Sequence, residues 1–152
     1  MGGASMAKKF DQICSQITES LYLGSDTVAR DSRELRRNKI THILNCAGGY
    51  CGNYFPQQFE YMTLHLLDGK SENIACLFYE VLEYIDDAIS NGGRVYVHCQ
   101  QGVSRSSAML ILYLMWKMHK PFNETHEYVK KLRQASSPNA GFISQLMEWW
   151  KR

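Results

Sequence analysis

A β-branched and aromatic run, Arg94-Val95-Tyr96-Val97-His98, enters a short loop containing Gly102 and then a strongly apolar helix from about Arg105 to Met118. No other feature limits the possible folds as sharply. A strand that feeds an apolar helix in this way belongs to a layered α/β sheet. The rest of the chain repeats the alternation. Ile17, Leu21 and Leu23 suggest a first strand closed by Gly24, and Asp26 can cap a helix through Val28, Leu35 and Arg37 that ends near Asn38. Thr41-His42-Ile43-Leu44-Asn45 reads as a short buried strand stopped by Gly48-Gly49, and Tyr61–Leu66 as another ended by Asp68-Gly69. Ile74, Leu77, Phe78, Val81, Leu82 and Ile85 fall at helical spacing, predicting a helix over about 74–90 that Asn91-Gly92-Gly93 terminates. Asn123 can cap a helix to about Gln134, and Gly141–Trp150 reads as the last. The expected fold is α/β, one domain with a central, mostly parallel sheet and helices on both faces. Ligands of such sheets bind beyond the carboxyl ends of the strands, where the loop after Val97 lies.

Composition supports a single globular domain. A chain of 152 residues can bury a core without staples, and 45% hydrophobic with 21% charged residues argues against extensive disorder. A formal net charge of +2 is too small to imply nucleic acid or a membrane surface. Basic residues gather at Arg33, Arg36, Arg37 and Lys39 and again at Lys130, Lys131 and Arg133. Solvated helix faces are the simpler reading of both, with a docking patch for an acidic partner as the alternative. Five cysteines form no regular framework, so a reduced compartment, cytoplasmic or nuclear, is expected. Cys46 and Cys51 flank Ala47-Gly48-Gly49-Tyr50, but neither a second pair nor a histidine pair completes a zinc pattern, and no metal or cofactor is expected. The apolar run Ala108–Trp116 is far short of a membrane span. Gly2 hints at myristoylation, yet Met6 stands where that motif needs Ser or Thr. Residues 1–9, with Met-Gly-Gly-Ala-Ser before a second Met, read as a scar or a disordered terminus, and 10–152 as the domain.

The chemistry concentrates in His98-Cys99-Gln100-Gln101-Gly102-Val103-Ser104-Arg105-Ser106. A tight loop between strand and helix turns successive backbone N–H groups inward and makes an anion nest. The following helix adds its free N–H groups and the positive end of its dipole. Gly102 lets the backbone approach the anion closely. Cys99 at the floor of that positive field is favoured as thiolate, the nucleophilic form. Arg105 can hold two phosphate oxygens in its planar fork. The loop residues Gln100, Gln101, Gly102, Val103, Ser104 and Arg105 are therefore the expected phosphate binders. Ser106 can steady the thiolate as it leaves, and His98 can orient the loop by hydrogen bonding. Alone, such a Cys is commonly a small core residue and such an Arg a surface cation; together in one loop they read as a catalytic pair.

His98-Cys99-x-x-Gly102-x-x-Arg105-Ser106 resembles the signature of the cysteine-based protein phosphatases, and Val103-Ser104 resembles their dual-specificity branch. The likeness runs from about Ile17 to Trp150. Tyr22-Leu23-Gly24, Ile43-Leu44-Asn45 and Tyr113-Leu114-Met115 look like family strand and helix motifs, and Pro138-Asn139-x-Gly141-Phe142 like the segment opening the last helix. MAP kinase phosphatase catalytic domains are the most similar branch. Gln101 and Leu112 depart from it, each standing where the family often has Ala. The resemblance implies a cysteine-phosphatase fold, hydrolysis of phosphotyrosine and phosphoserine or phosphothreonine through a phosphocysteine, and a phosphoprotein substrate, with a MAP kinase as the candidate. It implies that Asn139 braces the phosphate loop. It also implies a general acid about thirty residues before the nucleophile; Asp68, 99 − 68 = 31 residues upstream, fits, with Glu72 in reserve and Asp86 and Asp87 placed poorly in a helix. In some relatives a cysteine at the position of Cys46 forms a reversible disulfide with the nucleophile; an inert core thiol is the alternative. Competing readings are a lipid or RNA phosphatase, a phosphoprotein-binding module and a sulfurtransferase. The oligomeric state is not legible.

Overall fold

A computed structural model describes residues 3–152; Gly2 lies outside the described residues. Five strands pair in the order β1-β2-β5-β3-β4. They are β1 (Ser15–Gln16), β2 (Leu21–Gly24), β3 (His42–Asn45), β4 (Glu60–Thr63) and β5 (Val95–His98). Only β1 runs antiparallel, against β2; β5 lies parallel between β2 and β3, with Gly24 and Asn45 both in register with His98. The helices are α1 (Gly3–Phe10), α2 (Asp26–Ala29), α3 (Ser32–Arg37), α4 (Phe78–Ser90), α5 (Arg105–Met118), α6 (Phe122–Leu132) and α7 (Ala140–Trp150).

The strand alternation decides which helices cover which face. Leu21, Leu23, Leu44, Val95 and Val97 face the larger core, built with α4, α5, α6 and α7. Tyr22, Ile43 and Tyr96 point the other way, onto Val28, Ala29 and Leu35 of α2 and α3. Every residue of α5 from Arg105 to Met115 is buried, because this helix sits centrally against sheet and neighbouring helices alike.

Several expectations need correction. Of the two readings of the terminus, a scar or a disordered end, the helix Gly3–Phe10 bears only on the second, which it replaces with order. The single helix expected after Asp26 is two. Ser25, not Asp26, caps the first by accepting from the Thr27 N–H, and Asp31 caps the second by accepting from Glu34. A second cap inside one apolar period breaks it. The strand expected over 61–66 is Glu60–Thr63, with Leu64 and Leu66 buried beyond its end. The helix over 74–90 begins with a 3₁₀ turn at Ala75–Leu77. Helix α6 starts at Phe122 behind Pro121, with no side-chain cap from Asn123. Arg133, assigned to a solvated face, is fully buried.

Candidate active site

The loop between β5 and α5 stands at the carboxyl end of the central strand. Its shape follows from where its carbonyls go. The Gln100 carbonyl accepts from the Asp26 N–H at 3.0 Å, Val103 from Ser137 at 2.8 Å and Ser104 from Ala108 at 2.9 Å. Gln101 and Gly102 both accept from the Arg133 guanidinium at 3.0 Å. The Cys99 carbonyl lies 3.2 Å from His98 Nδ1. A trans peptide with its oxygen held on one side presents the next N–H on the other. The N–H groups from Gln100 to Arg105 are thereby turned to the opposite side of the loop, an anion nest of the kind that the spacing predicts. Gly102 makes the turn at φ +69, and a Cβ there would stand 2.5 Å from the Gly24 backbone.

On that side lies a pocket of about 320 Å³ lined by Asp68, Cys99, Gln100, Gln101, Val103, Ser104 and Arg105. Cys99 Sγ is buried at its floor, 3.0 Å from the Ser106 hydroxyl. Arg105 is held in place by Nη1 on the Leu66 carbonyl at 3.1 Å and Nη2 on Gln100 Oε1 at 2.7 Å, leaving its buried Nε without a partner among the described residues. Gln100, expected as a phosphate binder, thus spends its side chain steering Arg105. Asp68 is exposed at the rim, and Asn139 donates to its carboxylate at 3.0 Å. The Asn139 N–H donates to Ser104 Oγ at 2.9 Å, so one residue ties the acid loop to the phosphate loop. Gly141 permits that approach, since a Cβ there would overlap the Lys70 carbonyl. Glu72 accepts from the Leu67 N–H at 2.6 Å and folds the acid loop instead of lining the pocket. Asp86 accepts from the Tyr113 hydroxyl on α5, away from this pocket.

A family model described as the dual specificity phosphatase catalytic domain matches residues 21–152. The chain belongs to the dual-specificity phosphatase family. It is 45% identical over 143 residues to the protein-tyrosine-phosphatase MKP1 of Arabidopsis thaliana, covering 94% of this chain but 18% of that protein. The chain therefore spans less than a fifth of that relative's length. It is 36% identical to dual specificity protein phosphatase 1B of Arabidopsis thaliana, covering 90% of this chain and 81% of that one. Its structure is similar to that of the human tyrosine phosphatase-like serine/threonine/tyrosine-interacting protein, with a TM-score of 0.85, 34% identity and coverage of 90% and 94%.

Two features of this family member, Arg133 and Tyr50, were not legible as parts of the site. Arg133 holds two loop carbonyls, and also the Ile13 carbonyl and Ser15 hydroxyl, from beneath. Burial lowers its pKa, and no carboxylate forms an ion pair with it among the described residues. Helical position alone made it look like its exposed neighbours Lys130 and Lys131. Tyr50 sets its ring 5.6 Å from the Arg105 guanidinium carbon. Cys46 follows β3 directly, and its N–H donates to the His98 carbonyl at 2.8 Å, which seats it beside Cys99. Burial, reinforced by Cys99, pushes the Cys46 thiol well above its ordinary range.

Proposed function

We propose that this chain is the catalytic unit of a protein phosphatase that removes phosphate from tyrosine and from serine or threonine, with a doubly phosphorylated signalling protein of the MAP kinase kind as substrate, in the cytoplasm or nucleus. The observation that carries the reading is the convergence of Cys99, Arg105 and Asp68 on one pocket above a loop whose carbonyls are all held away from it. The Cys99 thiolate attacks phosphorus while the Asp68 carboxyl protonates the leaving oxygen, so the P–O ester bond breaks as S–P forms. Asp68, now a carboxylate, takes a proton from water, whose oxygen attacks the phosphocysteine and releases Cys99 as thiolate. Ser106 is placed to donate to that sulfur. Arg105 and the loop N–H groups bear the transferring charge.

Gln100, Gln101, Val103 and Ser104 are neutral, which favours a single phosphate on protein over a polyanionic lipid or RNA. The test pairs a doubly phosphorylated peptide with phosphoinositide vesicles; faster turnover of the vesicles would overturn the substrate class. Asp68→Asn is expected to lower kcat by roughly 10²–10⁴ on alkyl and peptide esters, the usual range for general acid catalysis, and much less on esters with acidic leaving groups. Equal losses on both would assign the proton to another residue. Asn139→Ala is expected to follow the same leaving-group pattern more weakly.

Cys46 is read as the thiol that captures an oxidised Cys99. Peroxide converts the thiolate to a sulfenic acid; attack by Cys46 forms S–S and expels water, and a thiol reductant restores both. Cys46→Ser is expected to recover less activity after mild peroxide and reductant, with the disulfide read by mass spectrometry. Recovery equal to wild type would make Cys46 an inert core thiol.

A further inference from the structure

Behind the phosphate loop, three side chains that take no part in the transfer of phosphate come together. His98 ends β5, Cys51 lies in the loop after β3, and Asp26 opens α2; one donor atom from each lies within 4.8 Å of the others. The His98 imidazole is fully buried and stacked on Tyr96. Its Nδ1 lies 3.2 Å from the Cys99 carbonyl, a hydrogen bond only when Nδ1 carries the proton. Nε2 then holds a bare lone pair, and no donor meets it among the described residues. A buried acceptor left so calls for an explanation.

We propose that Asp26, Cys51 and His98 form a binding site for a borderline-soft divalent cation, zinc by preference, through one carboxylate oxygen, the Cys51 sulfur and His98 Nε2. One oxygen, one sulfur and one imidazole nitrogen is a zinc donor set, and three protein ligands leave the fourth tetrahedral position to water. Zinc bonds of about 2.0–2.3 Å put neighbouring donors roughly 3.3–3.6 Å apart. Donors already within 4.8 Å of one another need to close by little more than about 1 Å to reach that spacing.

The surroundings hold the donors as ligands are usually held. A ligating imidazole characteristically donates its other N–H to a carbonyl, which is the Nδ1 arrangement here. The Asp26 carboxylate accepts from the Tyr54 hydroxyl at 2.8 Å and from Arg30 Nε at 2.9 Å, so its direction is fixed from outside. Asn45 ties down the loop that carries Cys51 by accepting from the Ala47 N–H and donating to the Cys51 carbonyl, both at 3.0 Å. Asp26 is only partly covered and gives the ion its way in. On binding, the Cys51 S–H bond breaks, the proton leaves to solvent and an S–metal bond forms. The ion would join β5, α2 and the loop after β3, the elements on which the phosphate loop rests. Sequence reading finds no zinc pattern because the donors come from three separate elements.

The test uses the whole chain carrying Cys99→Ser, so that the nucleophile cannot serve as a ligand. Zinc is titrated against a chromophoric chelator, cobalt(II) is followed by absorption, and Tm is measured with zinc and with a chelator. One ion per chain, a thiolate-to-cobalt charge-transfer band and a zinc-dependent rise in Tm are expected. Adding Cys51→Ser should abolish the band and weaken zinc at least tenfold. Adding Asp26→Asn, at a partly exposed position where folding is not at risk, should keep the band but weaken zinc about tenfold. Cys76→Ser, on an exposed thiol, should change neither. A band that survives Cys51→Ser, equal zinc affinity in all four proteins, or no binding in the parent overturns the proposal.

Discussion

Cys99→Ser is expected to lower turnover by roughly 10⁴-fold or more, the scale on which enzymes respond to loss of a covalent nucleophile, while leaving phosphate-ester binding largely intact. The sulfur sits 3.0 Å from Ser106 Oγ at the floor of a pocket whose one other protein acid is Asp68 at the rim. A serine hydroxyl there would need a base, and none is in place. His98, the adjacent imidazole, aims Nδ1 at the Cys99 carbonyl, and its buried Nε2 is the nitrogen we assign to the Asp26 and Cys51 site. Burial also lowers its pKa to about 4, so it is a weak base. Binding survives because the loop N–H groups and Arg105 do not depend on the sulfur. Stopped kinetics with equilibrium binding of a phosphotyrosine peptide reads both halves. Residual turnover within about tenfold of wild type would remove Cys99 as the nucleophile. Loss of binding as well would mean that the sulfur holds the loop's shape.

What the sequence disclosed is local. The strand Val95–His98, the loop and helix Arg105–Met118 follow each other within a short stretch, so periodicity and loop chemistry read directly onto the structure. Cys99, Arg105 and Ser106 share that stretch, and Asp68 was reachable from family spacing. Contacts made across the fold were hidden. Residue type says nothing of Asn139 gripping Asp68, because the two are joined only when α7 docks on the acid loop. Gln100 could not be seen to aim Arg105 rather than the ligand, since the choice depends on rotamers. The edge strand Ser15–Gln16 is two residues long and carries no period at all. Arg133 was misplaced for a related reason: the helix ends at Leu132 with its last turn exposed, and Arg133 follows in an extended conformation that turns it under the loop.

Arg133→Met is expected to destabilise the chain by about 3–5 kcal/mol, as removal of one side of a buried charged network does, and to lower kcat/KM by roughly 10²–10³. Arg133 is fully buried, and four of its five N–H donors meet oxygen: Gly102 and Gln101 carbonyls at 3.0 Å, the Ile13 carbonyl at 2.9 Å and Ser15 Oγ at 3.0 Å. Methionine matches much of the volume but donates nothing. Each buried carbonyl left without a donor costs about 1–3 kcal/mol, partly offset because the cation no longer has to be desolvated. The catalytic loss has a separate cause. The Gln101 and Gly102 carbonyls share their peptide planes with the N–H groups of Gly102 and Val103, so freeing those oxygens lets two anion donors turn away from the pocket. Arg133→Lys should fall between, since an ammonium lacks the planar fork that spans both carbonyls. Urea denaturation gives the stability term. Kinetics at a temperature where the variant stays folded gives the other, and a positioning role predicts that kcat falls for good and poor leaving groups alike, unlike Asp68→Asn. Unchanged kcat/KM in a folded Arg133→Met would mean that the turn at Gly102 and the ties to Asp26 and Ser137 hold the loop without it.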